Sequence, residues 1–345
     1  MKRNKPITKK KIGLKDLSKE LGLSTCTISL ILNDKMGNAK YRPETIEKVK
    51  KTAEKLGYQP NKVARSLACG KTNTIGLCLA DITNPFFSEF AYYFERIASK
   101  NDYSTFIGNF GEDGETYERT VKMMLERNVD ALVFSPIEPL KKSTIDLAKN
   151  NCSQLVAFDR SFKRMGIPQV TLDNAACMHE LTEIAINQGF RKIGVITGPT
   201  RDPSFQQRVE GVLTKVDSVK SKIKVNIVES DSSTPDGGYK AMAKMWQDGS
   251  KPQVLFSLAN VLTYGAIQYS LDNGIKLGQD IPFAGFDEIP WSELHSPSLT
   301  TVCQPIQEMA EAAFQLAIQT GSFANRKNVK FSPVIRWRDS FSAKT

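Results

Sequence analysis

Residues 14–34, "LKDLSKELGLSTCTISLILND", contain two short runs of apolar residues at helical spacing, separated by one glycine. Leu14, Leu17 and Leu21 recur at intervals of three and four, which predicts an amphipathic helix. Gly22 fits the left-handed position that commonly ends such a helix. The stretch therefore opens with a helix of about two turns that stops abruptly.

A second helix should follow at once. Ser24 is suited to cap its N-terminus, and its inward-facing residues would be Ile28, Ile31 and Leu32. Two helices joined by so short a turn predict a helix-turn-helix, in which the second helix enters the DNA major groove. A third helix, starting near Pro43 and ending at Gly57, would close the core of this small unit.

The basic charge is concentrated around these helices. The chain has 345 residues and a net charge of +10, and residues 1–72 hold 18 of its 47 Lys and Arg but 6 of its 37 Asp and Glu. A basic module on a near-neutral body is typical of proteins that bind a polyanion such as DNA.

Composition also indicates the cellular compartment in which the protein acts. No apolar run reaches the roughly 20 residues that span a bilayer, and the basic start has no signal-peptide core, so we expect a cytoplasmic protein without membrane contact. The six Cys show neither metal-ligand spacing nor a disulfide pattern, so we expect reduced thiols and neither metal nor cofactor.

From Thr74 onward, apolar strand-like runs alternate with helical stretches, which predicts parallel sheets covered on both faces. Only nine residues separate "QLVAFD" from "QVTLD", too few for a covering helix. We interpret this short link as the crossover between two Rossmann-like subdomains. The predicted fold is thus α/β, with a helical headpiece ahead of two subdomains, and the chain's end, including "KFSPVIRW", should return to the first of them.

Several motifs, in this order and spacing, resemble the LacI/GalR family of bacterial transcription regulators from Ile12 onward. They are the helix-turn-helix stretch, "RPETIEKVKKTAEKLGYQPNKVARSLACGKTNTIG", "DITNPFF", "FDR", "NQGFRKIGVITG", "SFQQRVEG", "GFDEIPW" and "PSLTTVCQP". The resemblance implies a headpiece over 1–60, a hinge helix over 61–72 and a core of periplasmic-binding-protein type over 73–345. Within that core it implies an N-subdomain of about 73–171 and 304–345 and a C-subdomain of about 172–303.

The same resemblance implies a repressor of carbohydrate-utilisation genes that binds a pseudopalindromic operator as a homodimer or tetramer. A small carbohydrate, sugar acid or sugar phosphate would bind between the subdomains. By match to the family motif, the residues nearest DNA are Ser24, Thr25, Cys26, Thr27, Ser29, Leu30 and Asn33. Leu30 departs from the polar reader common in the family; it could pack on a thymine methyl or belong to the headpiece core.

The resemblance also places Leu67 of the hinge at the position that wedges into the minor groove and kinks the DNA. For the effector it implies Phe87, Asp159, Arg160, Arg208, Asn260 and Asp287. Ligands of open α/β sheets bind beyond the carboxyl ends of strands, where several of these lie. Local explanations stay open, since Asp and Asn after strands often cap helices and Phe87 could be a core residue.

Other functions are less well supported. The chain has two His and lacks GxSxG, Walker and GxGxxG motifs, so the sequence does not indicate an enzyme. An exported solute-binding protein would share the two-lobed fold but need a signal peptide and no headpiece. A regulator controlled by a phosphoprotein partner stays open as an alternative.

Overall fold

The computed structural model describes residues 12–32, 41–58, 70–137, 141–161, 166–220, 222–247, 251–321 and 326–341. The chain divides after Thr72 into two compact units. Of the helices within the described ranges, none is long and apolar enough to cross a membrane.

The first unit contains the helices α1 (Leu14–Leu21), α2 (Thr25–Leu32) and α3 (Pro43–Lys55). Gly22 ends α1 with a φ of 69°, and its N–H donates to the carbonyl of Ser18. Ser24 caps α2, because its Oγ accepts a 3.0 Å hydrogen bond from the N–H of Thr27. The predicted caps are therefore confirmed. The buried core consists of Leu17, Ile28, Ile31, Val49 and Ala53.

The second unit alternates strands and helices. Its strands are β1 (Thr74–Leu79), β2 (Ser104–Asn109), β3 (Ala131–Phe134), β4 (Gln154–Asp159), β5 (Gln169–Leu172), β6 (Lys192–Thr197), β7 (Lys224–Glu229), β8 (Val254–Ser257), β9 (Phe283–Phe286), β10 (Thr300–Cys303), β11 (Val329–Phe331) and β12 (Val334–Arg336). Its helices are α4 (Pro85–Lys100), α5 (Gly114–Glu126), α6 (Lys142–Asn151), α7 (Asn174–Asn187), α8 (Pro203–Ser218), α9 (Pro235–Gln247), α10 (Asn260–Asp272) and α11 (Ile306–Ile318).

These strands form two six-stranded sheets, each the centre of one lobe. The first sheet has the order β11-β5-β4-β3-β1-β2 and is entirely parallel, whereas the second has the order β12-β10-β9-β8-β6-β7 with only β12 antiparallel. Every residue of β3, β8 and β9 is buried, as expected for strands covered on both faces. We call the unit around the first sheet the first lobe and that around the second sheet the second lobe.

Two predictions about where the chain passes from one lobe to the other are wrong. The strands β4 and β5 are parallel neighbours in one sheet, with Ala157 opposite Gln169, so the short link between them is not the crossover. The chain changes lobes after β5 instead. The C-terminal end also differs, because β12 pairs with β10 in the second sheet, and only the part through β11 returns to the first lobe.

Aromatic rings tie the helices of the first lobe to its sheet. Phe90 of α4 stacks on Phe158 of β4 with ring centroids 4.0 Å apart. Phe94 of the same helix meets Phe314 of α11 edge-on at 6.0 Å. The last residues of β4 therefore rest on a fixed aromatic support.

In the second lobe, α9 and α10 approach each other through glycines. A Cβ on Gly238 would lie 2.3 Å from the carbonyl oxygen of Leu262, and one on Gly265 would lie 1.9 Å from that of Pro235. Both distances are shorter than any van der Waals contact, so no side chain fits at either position. The two helices are thus packed backbone to backbone.

Candidate functional site

The predicted DNA-reading residues lie on α2 and just before it. Ser24, Thr25 and Cys26 are exposed, whereas Thr27, Ser29 and Leu30 are half-buried. The hydroxyl of Ser24 already serves the helix cap and lies 2.9 Å from that of Thr27. Asn33 and Leu67 lie outside the described residues, so their predicted roles stay predictions.

Leu30 does not belong to the hydrophobic cluster formed by the described residues of the headpiece. The inward positions of α2 are occupied by Ile28 and Ile31, which are fully buried. This arrangement disfavours the core explanation of Leu30 and leaves its side chain at the half-exposed surface of α2.

In the second unit, two aspartates occupy equivalent places in the two lobes. Asp159 ends β4 and Asp287 follows β9, and these strands hold the same third place in their sheets. Both residues have a φ of 69°, a left-handed conformation that costs a residue other than glycine on the order of 1 kcal/mol or more. Backbone conformations of this kind cluster at ligand-binding sites.

The buried guanidinium of Arg208 is held from several sides. Its Nε donates to Asn174 Oδ1 at 2.8 Å, and its Nη1 donates to the carbonyl of Leu258 at 2.7 Å. The guanidinium carbon lies 3.6 Å from the ring centroid of Phe286. Asp287 Oδ2 is 4.0 Å from Nη1, and Asp287 Oδ1 accepts a 2.6 Å hydrogen bond from Gln304. Arg208 is therefore fixed beside Asp287.

Arg160 links the two lobes. Its two terminal nitrogens pair with the carboxylate of Glu112 in the first lobe, and one of these contacts is 2.9 Å long. Its Nε lies 2.7 Å from Asp202 Oδ2 at the start of α8 in the second lobe. A single buried arginine thus bridges carboxylates on both sides of the cleft.

Amide and hydroxyl groups make two further bridges between the lobes. Asn260 Nδ2 donates to Asn84 Oδ1 at 2.8 Å, and Asn84 also caps α4 by accepting from the N–H of Phe86. Gln207 Nε2 donates to Ser161 Oγ at 3.0 Å. The amide donors of Asn260 and Gln207 are therefore engaged across the cleft.

The charged groups of the cleft act on one another. Burial raises the pKa of Asp159 to about 7, opposed by Arg160 and Arg208 and reinforced by Asp202 and Asp287. Burial likewise raises the pKa of Asp287, against the opposing effects of Arg208 and Gln304. The structure thus gathers four predicted residues, Asp159, Arg160, Arg208 and Asp287, into one electrostatic cluster.

The sixth predicted residue, Phe87, is buried in the hydrophobic core of the first lobe. Its ring meets those of Phe86 and Phe158 edge-on, at centroid distances of 5.0 and 6.2 Å. Because Phe158 directly precedes Asp159, Phe87 supports the strand end from behind. A role as a ligand wall stays a prediction.

Sequence reasoning missed several polar residues of the cleft, which are Asn84, Glu112, Ser135, Ser161, Asn174, Asp202, Ser204, Gln207 and Gln304. Two of them carry buried oxygen atoms without a hydrogen-bond partner in the described part of the chain, namely Ser204 Oγ and Gln304 Oε1. Asp202 could have been found, since "DPS" has the pattern of an N-cap followed by proline, and it caps α8 at 2.8 Å. The cleft is suited to bind a ligand rich in hydrogen-bonding groups.

Across the described ranges, no group of three or more His, Cys, Asp or Glu side chains has the geometry to hold a metal ion.

Residues 182–341 match the periplasmic binding protein-like domain family. The chain is 28% identical to catabolite control protein A of Priestia megaterium over 94% of its own length and 96% of that protein. It is also 28% identical to the ribose operon repressor of Haemophilus influenzae, over 89% of its length and 91% of the relative. These curated relatives are regulators of transcription rather than enzymes.

Solved structures share the fold. The Lac repressor dimer bound to operator and the anti-inducer ONPF matches with a TM-score of 0.83 at 20% identity, covering 96% of this chain and 100% of that one. A LacI family transcriptional regulator from Enterococcus faecium with bound ribose matches with a TM-score of 0.69 at 22% identity, covering 79% and 100%. The chain thus resembles LacI-family transcription regulators along nearly its whole length, and the fold that it shares with the Lac repressor supports that resemblance.

Proposed function

We propose that this protein represses carbohydrate-utilisation genes by binding a pseudopalindromic operator as a homodimer. A small carbohydrate, sugar acid or sugar phosphate, bound between the two lobes, would control that binding. The protein would act in the cytoplasm, where the bacterial chromosome lies. The ribose operon repressor and the ribose-bound regulator among its relatives support an effector of this class.

One observation carries the effector half of the proposal. Asp159 and Arg160 of the first lobe converge with Asp202, Arg208 and Asp287 of the second. A ligand that binds this cluster replaces contacts that join the lobes and so changes which arrangement of the lobes is stable. A ligand that prefers one lobe arrangement typically couples its own site to the DNA site by a free energy of about 1–3 kcal/mol.

The DNA half rests on the headpiece. Its second helix presents Thr25 and Cys26 to solvent, and Ser24 and Thr27 place hydroxyls at the helix N-terminus. Hydroxyl groups there can donate to phosphate oxygens and fix the orientation of the headpiece on the duplex. Leu30 would contact a thymine methyl group in the major groove.

An exposed apolar surface on the second lobe supports self-association. It is a hollow of about 310 Å³ between α10 and the turn that follows β9, lined by Tyr264, Ile267, Gln268, Leu271, Trp291, Leu294 and His295. Leu271 is 67% exposed and Leu294 is 85% exposed, which is unusual for leucine on a monomer's surface. We propose that a second copy of the chain covers this surface, as a two-fold operator requires.

Selection and sequencing of bound genomic fragments tests the DNA half. The recovered sites should be approximate palindromes beside genes for carbohydrate use, and asymmetric sites would contradict the dimer geometry. Sedimentation velocity tests self-association. Leu294→Asp should shift the protein toward monomer, whereas Leu147→Asp, on the exposed face of α6 in the first lobe, should not.

Calorimetry against a panel of sugars, sugar acids and sugar phosphates tests the effector half. Asp287→Ala should lower affinity for the best ligand at least about tenfold, because it leaves buried donors without a partner. Operator affinity without effector should stay near that of the parent protein. Unchanged ligand affinity would show that Asp287 only shapes the end of its strand.

A further inference from the structure

Five basic residues gather where two neighbouring strands of the second lobe begin. The segments 188–192 and 219–224, which lead into β6 and β7, contain no Asp or Glu but hold Arg191, Lys192, Lys220, Lys222 and Lys224. All five are exposed. Residues 73–345 as a whole have no basic excess, because they hold 29 Lys and Arg against 31 Asp and Glu. The positive charge at these strand starts is therefore local.

The pairing of β6 with β7 holds these residues side by side. Lys192 lies directly opposite Lys224 in the parallel ladder, where neighbouring strands are about 4.8 Å apart. The N–H of Lys224 donates to the carbonyl of Arg191 at 2.9 Å. Gln253 Oε1 accepts from the N–H groups of Arg191 and Lys192, at 2.7 and 3.1 Å. Like charges directly opposite each other in a sheet are destabilising, and a bound anion would offset that repulsion.

Arg191 has a structural role of its own. Its Nη1 donates to the carbonyls of Ile186 and Phe190, at 2.8 and 3.0 Å, and so caps the end of α7. The four lysines differ, since within the described residues none of their ammonium groups forms an ion pair with an Asp or Glu side chain. We call these four residues the basic edge, which consists of Lys192, Lys220, Lys222 and Lys224.

The surrounding charges leave the basic edge positive. On α8, Lys215 pairs with Glu183 of α7, so this pair adds no net charge. Ahead of β8, Lys251 is matched in number by Asp248, which lies outside the described residues. The last turn of α8 also carries Asp217, which is exposed. Of these neighbours, one acidic residue is left to oppose four lysines.

The composition of the basic edge fits a phosphate backbone better than a protein surface. Interfaces between proteins are rich in Tyr, Trp, Phe, Met and Arg and poor in Lys. The described residues of 188–192 and 219–224 include no large apolar side chain that is exposed. Single-stranded nucleic acid is bound by exposed aromatic rings on which bases stack, and these described residues present none. Lysine ammonium groups are strongly hydrated point charges, which suit the closely spaced phosphates of a duplex.

Protection of the sheet edge explains only part of this pattern. Lysine on an edge strand hinders pairing with another chain, and β7 is the edge strand of the second sheet. That role accounts for Lys224. It does not account for Lys192, which lies on the inner strand β6, or for Lys220 and Lys222, which precede β7.

We propose that the basic edge binds the phosphate backbone of a second DNA duplex, separate from the operator. This inference goes beyond the proposed function, which assigns DNA contact to the headpiece and hinge. The contact would not depend on base sequence, because phosphates carry no sequence information. A homodimer would carry two basic edges, so a repressor bound to its operator would also hold another stretch of DNA.

The test uses the full-length protein saturated with a short operator duplex, to which a separate fluorescent duplex of unrelated sequence is added at low salt. Fluorescence anisotropy measures binding of this second duplex. A variant that combines Lys192→Gln, Lys222→Gln and Lys224→Gln should bind it at least about tenfold more weakly, while operator affinity stays near that of the parent. The slope of log affinity against log salt should become shallower by about 2–3, since each phosphate contact contributes about 0.9.

The matched control removes the same charge from the first lobe. It combines Lys100→Gln, Lys122→Gln and Lys142→Gln, at three exposed positions. This control should bind the second duplex nearly as the parent does, because its basic edge is intact. Sedimentation velocity should show no new self-association of the basic-edge variant. Aggregation of that variant with unchanged duplex binding would assign the lysines to protection of the sheet edge and overturn the inference.

Failure of the parent protein to bind the second duplex, or an equal loss in the control variant, would overturn this inference and leave the proposed function intact. Equally tight, lysine-dependent binding of polyglutamate or of phosphatidylserine vesicles would also overturn it, since the surface would then recognise negative charge of any kind. If the protein binds no operator, the DNA half of the proposed function fails. The comparison of the two variants on the unrelated duplex then still decides this inference.

Discussion

Replacement of Arg208 by methionine should destabilise the second unit of the chain by about 3–5 kcal/mol. Methionine keeps the unbranched aliphatic stem but loses the charge and every donor. The carbonyl of Leu258 and the amide oxygen of Asn174 then lose hydrogen bonds of 2.7 and 2.8 Å in a site where Arg208 is 4% exposed. Bonds to a charged group contribute about 1.5–3 kcal/mol each, and breaking a buried ion pair costs a similar total.

Urea unfolding followed by tryptophan fluorescence measures this loss. All three tryptophans, at positions 246, 291 and 337, lie beyond Thr72, so the signal reports the second unit and not the headpiece. The expected loss corresponds to a fall of about 1–2 M in the urea midpoint. Lys240→Met is the matched control, because it breaks a surface pair whose side chains are 74% and 71% exposed and should change stability by less than about 0.5 kcal/mol.

A loss below about 1 kcal/mol for Arg208→Met would refute the reasoning. It would mean that water or a shifted side chain replaces the arginine's donors, and that the guanidinium does not hold Asn174 and Leu258 in place. A change in the slope of the transition would point instead to an altered unfolded state.

Three further predictions concern DNA and pH. Operator affinity should fall steeply with salt, since the basic excess lies in residues 1–72, and a flat dependence of log affinity on log salt would contradict DNA binding through that module. Leu67→Ala should reduce DNA bending in permuted-fragment gels while the fold persists, because alanine cannot fill an opened base step; unchanged bending would remove the proposed wedge. Burial raises the pKa of Asp159 to about 7 in the folded protein, whereas an unfolded Asp has a pKa of about 4. Between these two values the folded state binds more protons than the unfolded state, so the stability of the ligand-free protein should decline as pH rises from about 4 to about 7. Asp159→Asn should flatten that decline, and an unchanged urea-midpoint profile across this range would show that Asp159 is already ionised in the folded protein.

Local pattern was sufficient to predict most elements. The spacing of Leu14, Leu17 and Leu21 and the capping groups of Gly22 and Ser24 depend on neighbours within a few residues, and the structure has them where expected. The errors concern pairing across long distances. Nothing in the three residues of β12 indicates that its partner is β10 rather than a strand of the first sheet, because strand partners are set by the whole fold.

The same distinction applies to the cleft. Asp159 ends one obvious apolar strand and Asp287 follows another, so their place at the carboxyl ends of strands could be predicted. Glu112 comes from a turn and reaches Arg160 within the first lobe, at a sequence distance that no local pattern reveals. Asp202 starts a helix, and only the meeting of the two lobes makes it a partner of Arg160. Side chains that act across an interface leave little trace in the pattern of their own segment.

The backbone contact between α9 and α10 has a consequence for how this sequence can change. Gly238 and Gly265 are among neither the predicted DNA-reading nor the predicted effector residues, yet alanine at either would force two helices apart. A saturation scan scored by repression should therefore find both positions as intolerant as the cleft itself. The distance between α9 and α10 therefore leaves almost no freedom for substitution at these two positions.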